Sequence, residues 1–388
     1  MECKNIWFIN AGEPLPIQGN KPHRMSHWMT RLSILGHKVT FFTTDFEHQR
    51  KSFINSTEIP DNYELLESKV SYSKNVSIKR LINHFYLGRS LKKRLDNTPK
   101  PDLLVCSYPT IYSTFIATKF AKKHNIPVVI DVRDLWPDIF ISPKIGQLIL
   151  MPLYQQKKYI FKNATRVIGV SPKYVSWASP NADTEVNTLP LSQYHASPKS
   201  AAIKDNICPI KLIFVGTLGT TYDLILISVI SELLTKNNIE HQMTVCGEGP
   251  QKVFLTNSTK NNPNVVFRGW LKKNELDREL KDSHLGLMLY KSKSPQGWPN
   301  KLIEYMSYGL PIINSLKGES WHIIEQNGIG VNIERDNLEP IINWIQKDIV
   351  QNYHAISDKT LNAFHENFDE ETIFNKLLNI IENVTTNS

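Results

Sequence analysis

The chain has 388 residues, 41% of them hydrophobic and 21% charged, with a formal net charge of +8. This composition excludes a disordered chain, and the length exceeds one ordinary core and points to two domains of roughly 150–200 residues each. The longest apolar runs, such as residues 148–151, fall far short of the ~18 residues that span a bilayer. Residues 1–5 lead straight into an apolar run without the regions of a signal peptide. Cys3, Cys106, Cys208 and Cys246 are scattered with no CxxC pair, which reads as reduced thiols in a cytoplasmic protein. The positive charge fits nucleic acid, an anionic membrane or a polyphosphate substrate. No RNP, zinc-finger or helix-turn-helix pattern accompanies it, so the reading has no nucleic-acid partner.

Residues 6–9 are a short apolar strand. Met25, Trp28, Met29, Leu32 and Leu35 recur at helical spacing and predict a helix over 24–35 that stops at Gly36. Residues 39–43, 103–106, 128–130 and 167–170 read as further strands, with helical segments between them. Such alternation implies a parallel sheet covered on both faces, with ligands beyond the carboxyl ends of the strands. Residues 190–209 are polar, proline-bearing and aperiodic, and read as a linker. A second series follows: strands at 212–215, 243–246, 265–267, 285–289 and 311–313, and helices near 223–236, 273–281, 299–308 and 336–349. Residues 371–384 form a short amphipathic helix. The fold class is α/β, built from two doubly wound units.

Gln296-Gly297-Trp298-Pro299-Asn300-Lys301-Leu302-Ile303-Glu304 carries the most information. A Gly/Pro-rich loop enters a short helix that bears a carboxylate one turn inside, and the helix stops at Gly309 before an apolar strand. Free amides at a helix start hold an anion, and the carboxylate accepts hydrogen bonds from a ribose or sugar diol. Lys301 and the amides of Asn300 to Leu302 are placed for a diphosphate. A lysine there opposes the positive end of the helix dipole, and an anion offsets that cost; the competing assignment is a surface lysine. Gly216 and Gly219 can present backbone amides to phosphate. His23 and His27 share a helix face but have no third ligand, so they read as polar surface. No strand ends in an Asp-x-Asp pair, Asp183-Thr184-Glu185 being the nearest imitation, so transfer is expected without a metal.

These segments together resemble the retaining GT-B glycosyltransferases of family four. Gly36-His37-Lys38-Val39-Thr40 is similar to the segment closing that family's first helix. Phe214-Val215-Gly216-Thr217-Leu218 is similar to the strand and glycine opening its donor domain, and residues 299–311 to its donor-site helix. Residues 246–250 and 266–271 match as well, and residues 131–138 are similar to a loop of the bacterial branch that builds O-antigen and capsule. The resemblance covers nearly the whole chain. It implies two Rossmann-like doubly wound domains facing a central cleft: an acceptor domain at 1–190, with a C-terminal helix at 371–388 packing back on it, and a donor domain at 200–365.

The resemblance also implies roles. Glu304 accepts hydrogen bonds from the nucleotide ribose. Gln296 replaces the family's other glutamate, seven residues lying between the two, and brings no negative charge to a developing oxocarbenium ion. Relatives carry an arginine and a lysine after the opening strand, and residues 216–223 have neither, which leaves Arg268 or Lys301 to meet the phosphates. Where relatives have His-Asp, this chain has Arg133-Asp134. Arg133, always protonated, is expected to bind phosphate, and Asp134 to orient the acceptor hydroxyl. The competing reading pairs Arg133 with Asp134 or Asp138. Gly12, Gly19 and Asn20 lie in a loop expected to approach the donor phosphates. The expected donor contacts are thus Gly19, Gly216, Thr217, Arg268, Gln296, Gly297, Asn300, Lys301, Leu302 and Glu304.

The implied reaction moves a hexose or aminosugar from a nucleotide diphosphate donor, UDP being favoured over GDP, with no other cofactor. The implied acceptor is a glycan on a polyprenyl diphosphate. A sugar-nucleotide epimerase on the same fold and a non-catalytic binding protein are the alternatives. Residues 77–95 carry six Lys and Arg and no acid. Their apolar stripe runs through Ile78, Leu81, Ile82 and Phe85, then shifts after Gly88 to Leu87, Leu91 and Leu95. Such a segment suits peripheral contact with an anionic leaflet, and equally a core-packed helix with a solvated face.

Overall fold

The computed structural model describes residues 2–10, 12, 13, 15, 23–47, 52–54, 59–73, 77–138, 150–193, 198 and 207–386. The chain divides into two compact units, Met1–Pro190 with Glu371–Ser388, and Leu191–Glu370. In the first unit the elements run β1 (Asn5–Ile9), α1 (Arg24–Ile34), β2 (Lys38–Thr44), β3 (Phe46–Glu47), β4 (Ser52–Phe53), β5 (Tyr63–Leu66), α2 (Ile78–Leu95) and β6 (Leu103–Tyr108). They continue as α3 (Ile111–His124), β7 (Val128–Val132), α4 (Met151–Lys162), β8 (Arg166–Gly169), α5 (Pro172–Ala178) and β9 (Val186–Thr188). Among the described residues, seven strands form one parallel sheet in the order β5-β2-β1-β6-β7-β8-β9. Every residue of β6 and β7 is buried, as expected for central parallel strands covered on both faces. Along β1, Trp7 and Ile9 enter one core while Ile6 and Phe8 enter the other, the period-two alternation of a strand.

In the second unit the elements are β10 (Ile210–Val215), α6 (Ile225–Lys236), β11 (His241–Cys246), α7 (Lys252–Ser258), β12 (Val265–Gly269), α8 (Lys273–Asp282) and β13 (Leu285–Met288). Then come α9 (Asn300–Ser307), β14 (Ile312–Asn314), α10 (Glu319–Asn327), β15 (Gly330–Asn332), α11 (Glu339–Trp344), a π-helical turn at Ile345–Ile349, and α12 (Val350–Phe368). The six strands are parallel, in the order β12-β11-β10-β13-β14-β15. Strand order reverses between β1 and β6 in the first sheet and between β10 and β13 in the second. The carboxyl ends at such a reversal are where open α/β sheets take ligands.

A last helix, α13 (Glu370–Thr386), returns to the first unit. Its Ile373, Phe374, Leu377, Ile381 and Val384 are buried in one core with Met25, Trp28, Met29 and Leu32 of α1. Among the described residues, no helix is long and apolar enough to cross a membrane.

The expected strands are all present, within a few residues at their ends. The edge strands β5, β9 and β15 were not expected, being short and without clean alternation. The helix expected over 336–349 is corrected. Regular helix stops at Trp344, the π turn intervenes, and α12 runs on to Phe368 with Asn352 off helical geometry (φ −129°). The buried face of α12 includes Ser357, Thr360 and Ala363, so it shows no continuous apolar stripe in sequence.

Candidate functional site

In the second unit three adjacent strands end on glycines: Gly216 after β10, Gly247 after β11 and Gly269 closing β12. Their backbones are laced together, Gly216 N–H donating to Cys246 O at 2.9 Å and Gly247 N–H to Gly269 O at 2.7 Å. Gly216 has φ +140°, and a Cβ there would collide with the Nζ of Lys301, while one on Gly247 would run into Gly216 O. Only glycine fits such close approach. The turn beyond β10 is held to the one beyond β11 by Leu218 N–H donating to Glu248 O at 2.9 Å.

Helix α9 is fixed over the β10–β13 reversal by Tyr305. Its hydroxyl accepts from Val215 N–H at 3.0 Å and donates to Leu287 O at 3.2 Å. The ring lies on Gly286, where a Cβ would come within 2.5 Å of it. Lys301, four residues earlier, shares that helix face. Long helical side chains lean toward the helix N-terminus, which carries Lys301 back under Gly216. Its Nζ lies 3.8 Å from the ring centre of Phe214 and 4.5 Å from that of Tyr222. Tyr222 in turn meets Tyr290 at 4.7 Å between ring centres. Lys301 is 5% exposed, and its Nζ has no hydrogen-bond partner among the described residues. Burial lowers its pKa to about 7, against a weaker raising pull from Glu304 and Cys246. Burial pushes the Cys246 thiol up to about 12.

Lys301 is therefore not a surface lysine. Arg268, the other cation expected at the phosphates, is exposed and paired with Glu279 at 2.9 Å. Glu304 is half-buried one turn beyond Lys301. Gln296 Oε1 is buried with no hydrogen-bond partner among the described residues. Gly297 is buried, its carbonyl accepting from Ser320 Oγ at 2.5 Å. Thr217 and Asn300 are exposed, and Leu302 is buried in the core. Gly19 and Asn20 lie outside the described residues. The structure thus brings Gly216 and Lys301 together with Glu304 on the same helix, and takes Arg268 to a different partner. Tyr222, Tyr290 and Tyr305 were missed by the sequence reading. The one available signal was an aromatic next to a segment short of cations.

In the first unit, Arg133 follows β7 and binds Glu13, Nη1 to Oε2 at 3.2 Å. Glu13, 2% exposed, also accepts from Ser26 N–H at 2.8 Å, Met25 N–H at 3.4 Å and Asn10 Nδ2 at 2.9 Å. A carboxylate of the chain itself therefore occupies the amino end of α1, where the dipole favours an anion. The pairing of Arg133 with Asp134 or Asp138 is corrected. Asp134 Oδ1 accepts from Leu135 N–H at 2.9 Å, and Asp138 binds Lys157 at 2.8 Å and Trp177 Nε1 at 2.6 Å. Burial raises the Asp134 carboxyl above its ordinary value, opposed by the Leu135 amide, Trp136 and Arg80. Beneath this loop, Arg24 and Asp131 form a fully buried pair at 3.3 Å. His23 N–H donates to Ser26 Oγ at 3.0 Å as part of the start of α1. Helix α2 is divided: Ile78, Leu81, Ile82 and Phe85 are exposed, whereas Leu87, Leu91 and Leu95 are buried. Beside its exposed half, Leu81, Phe85, Tyr112, Trp136 and Leu153 line an apolar cavity of about 320 Å³.

Residues 209–347 match the family model described as glycosyl transferases group 1. No curated protein matches the chain in sequence. Among solved structures the chain is similar to sucrose-phosphate synthase from Thermosynechococcus elongatus, with a TM-score of 0.74 and 13% identity over 99% of this chain and 100% of that one. It is similar to Anabaena HepE in complex with UDP, at 0.68 and 13% over 98% and 100%. It is also similar to the lipopolysaccharide outer core galactosyltransferase WaaB, at 0.65 and 14% over 98% and 99%. At these identities the likeness establishes the fold, and the family match falls on the unit that holds Gly216, Lys301 and Glu304. The two parallel sheets are the halves of a GT-B fold, and the protein is a glycosyltransferase whose second unit matches the group 1 model over residues 209–347.

Proposed function

We propose that the protein is a retaining glycosyltransferase that moves a hexose or aminosugar from a UDP-sugar to a lipid-linked glycan in bacterial surface-polysaccharide assembly. The second unit takes the donor. The observation that carries this reading is Lys301, an amine buried without a hydrogen-bond partner among the described residues, under the glycine that follows β10, at the reversal of strand order. It supplies the cation that the β10 turn lacks. The diphosphate meets Lys301 and the backbone amides around Gly216 and Thr217, so its charge is held without a divalent ion. Glu304 accepts from the ribose hydroxyls, and Gln296 Oε1 is left to accept from a sugar hydroxyl. HepE structures with UDP and with UDP-glucose, on the same fold, support the choice of UDP.

The first unit takes the acceptor. Arg133, held by Glu13, keeps part of its guanidinium exposed for a phosphate, and Asp134 orients the acceptor hydroxyl. The exposed apolar half of α2, with Lys79 and Arg89 beside it, meets the anionic leaflet that holds a polyprenyl-diphosphate acceptor, and the enzyme works at the cytoplasmic face in this reading.

Calorimetry with UDP and with GDP, both in EDTA, tests the donor half. UDP is expected to bind more tightly than GDP, and Lys301→Ala to weaken it at least tenfold. Binding of neither nucleotide would leave a non-catalytic protein. Incubation of UDP-sugars without acceptor separates the epimerase alternative, which converts them unaided. Transfer to a polyprenyl-diphosphate glycan, with the product anomer read by NMR, tests the rest.

A further inference from the structure

We propose that the donor diphosphate is bound together with one proton: Lys301 waits uncharged against Phe214 and Tyr222 and becomes an ammonium only as the diphosphate arrives at Gly216. The inference rests on the donor-site reading above and goes beyond it. It concerns the state in which the cation is stored.

An ammonium has three donors and no acceptor. Around Lys301 Nζ no described group takes any of them. β10 contributes the Phe214 ring and Gly216, and the turn beyond it contributes Tyr222. β11 contributes the Cys246 thiol, and α9 itself contributes Tyr305 and Glu304. Burial keeps Cys246, Tyr222 and Tyr305 protonated and neutral. Glu304 is the charged neighbour that acts on the amine, and its pull is smaller than the cost of burial. Arg268 is engaged by Glu279. Ring faces stabilise a cation modestly, too little to replace lost hydration of an ammonium. A buried lysine in this position sheds its proton rather than its burial.

A diphosphate reverses that balance. Its oxygens offer acceptors and negative charge within hydrogen-bond reach, which favours the charged amine. The proton comes from solvent: neutral amine, nucleotide anion and one proton give the ammonium–diphosphate pair. No bond to carbon or phosphorus changes in this step. On product release the amine returns that proton to solvent, so above about pH 7 each turnover loads and unloads it.

The test is calorimetry of UDP binding at pH 8.5, with GDP in parallel, in buffers of different ionisation enthalpy and with EDTA present. A terminal phosphate has its second pKa near ~6 and is fully ionised there, so any proton taken up is the protein's. The expected result is about one proton absorbed per nucleotide bound, with affinity falling about tenfold per pH unit between roughly 8 and 10. Lys301→Met, checked for folding by its melting curve, should keep only weak binding with no proton uptake and no such slope. Nucleotide binding by the wild type without proton uptake overturns the proposal and leaves the donor site standing. Failure of both nucleotides to bind overturns the donor site itself, and the proposal with it.

Discussion

Burying an amine that finds no acceptor among the described residues works against the fold that buries it, and Lys301 makes the effect measurable. Its pKa is about 7 when folded, against 10.5 for a lysine in water. Between those values the unfolded chain binds more protons than the folded one, so stability rises with pH across that window and flattens above it. Urea unfolding should give a higher midpoint at pH 9 than at pH 7. Lys301→Met should raise the pH 7 midpoint and abolish the difference, while costing donor affinity. Gly216→Ala strains a backbone at φ +140° and drives into Lys301, so nucleotide affinity should drop at least tenfold by calorimetry. Glu304→Gln removes a charge from the proposed ribose contact and should lower affinity by about 1.5–3 kcal/mol, with melting little changed. At this scale the sequence showed which residues stand at the helix start, because loop, lysine and carboxylate are adjacent in the chain. It did not show that Lys301 is buried, because that depends on Gly216 lying 85 residues away in sequence. Glu13 was unreadable for a similar reason: it accepts from the amides of α1 across a loop, with no local capping pattern to mark it.

Helix α2 changes character along its length, and Gly88 marks the change. A Cβ at Gly88 would enter the ring of Tyr112 on α3, so α2 and α3 approach closely there. Gly88→Leu should destabilise the first unit by about 1–3 kcal/mol through overpacking, seen as a lower urea midpoint. The shift of the apolar stripe after Gly88 was legible in sequence. The burial of each half was not, because neither half of the stripe says which neighbour it meets. Charging the exposed half tests its role: Ile78→Glu with Ile82→Glu should leave melting unchanged and release the protein from anionic vesicles in co-sedimentation. Binding that survives both changes would remove the membrane role from this face. Strand positions were readable because central parallel strands are nearly continuous apolar runs. Helix α12 was not, since small polar residues share its buried face.

For the whole molecule, the division of the chain matters more than any one contact. Helix α13 follows the second unit in the chain and completes the core of the first. Its five buried apolar side chains represent roughly 7–15 kcal/mol of burial, comparable to the ~5–15 kcal/mol that holds an ordinary domain together. Removing residues after Asp369 should therefore abolish cooperative unfolding of the first unit. UDP binding by the second unit should survive, and calorimetry alongside a thermal melt distinguishes the two.

The same helix also orders how the protein is made. As the chain leaves the ribosome, its first 190 residues emerge with one side of their sheet covered by α1 alone, without α13. At ~5–20 residues per second, about 10–40 s pass before the missing helix follows. The unit synthesised later is contiguous and can close first, while the earlier one remains an unfinished, sticky nascent species. Slow or interrupted translation is thus a hazard specific to the amino-terminal half, and chaperone demand should fall there.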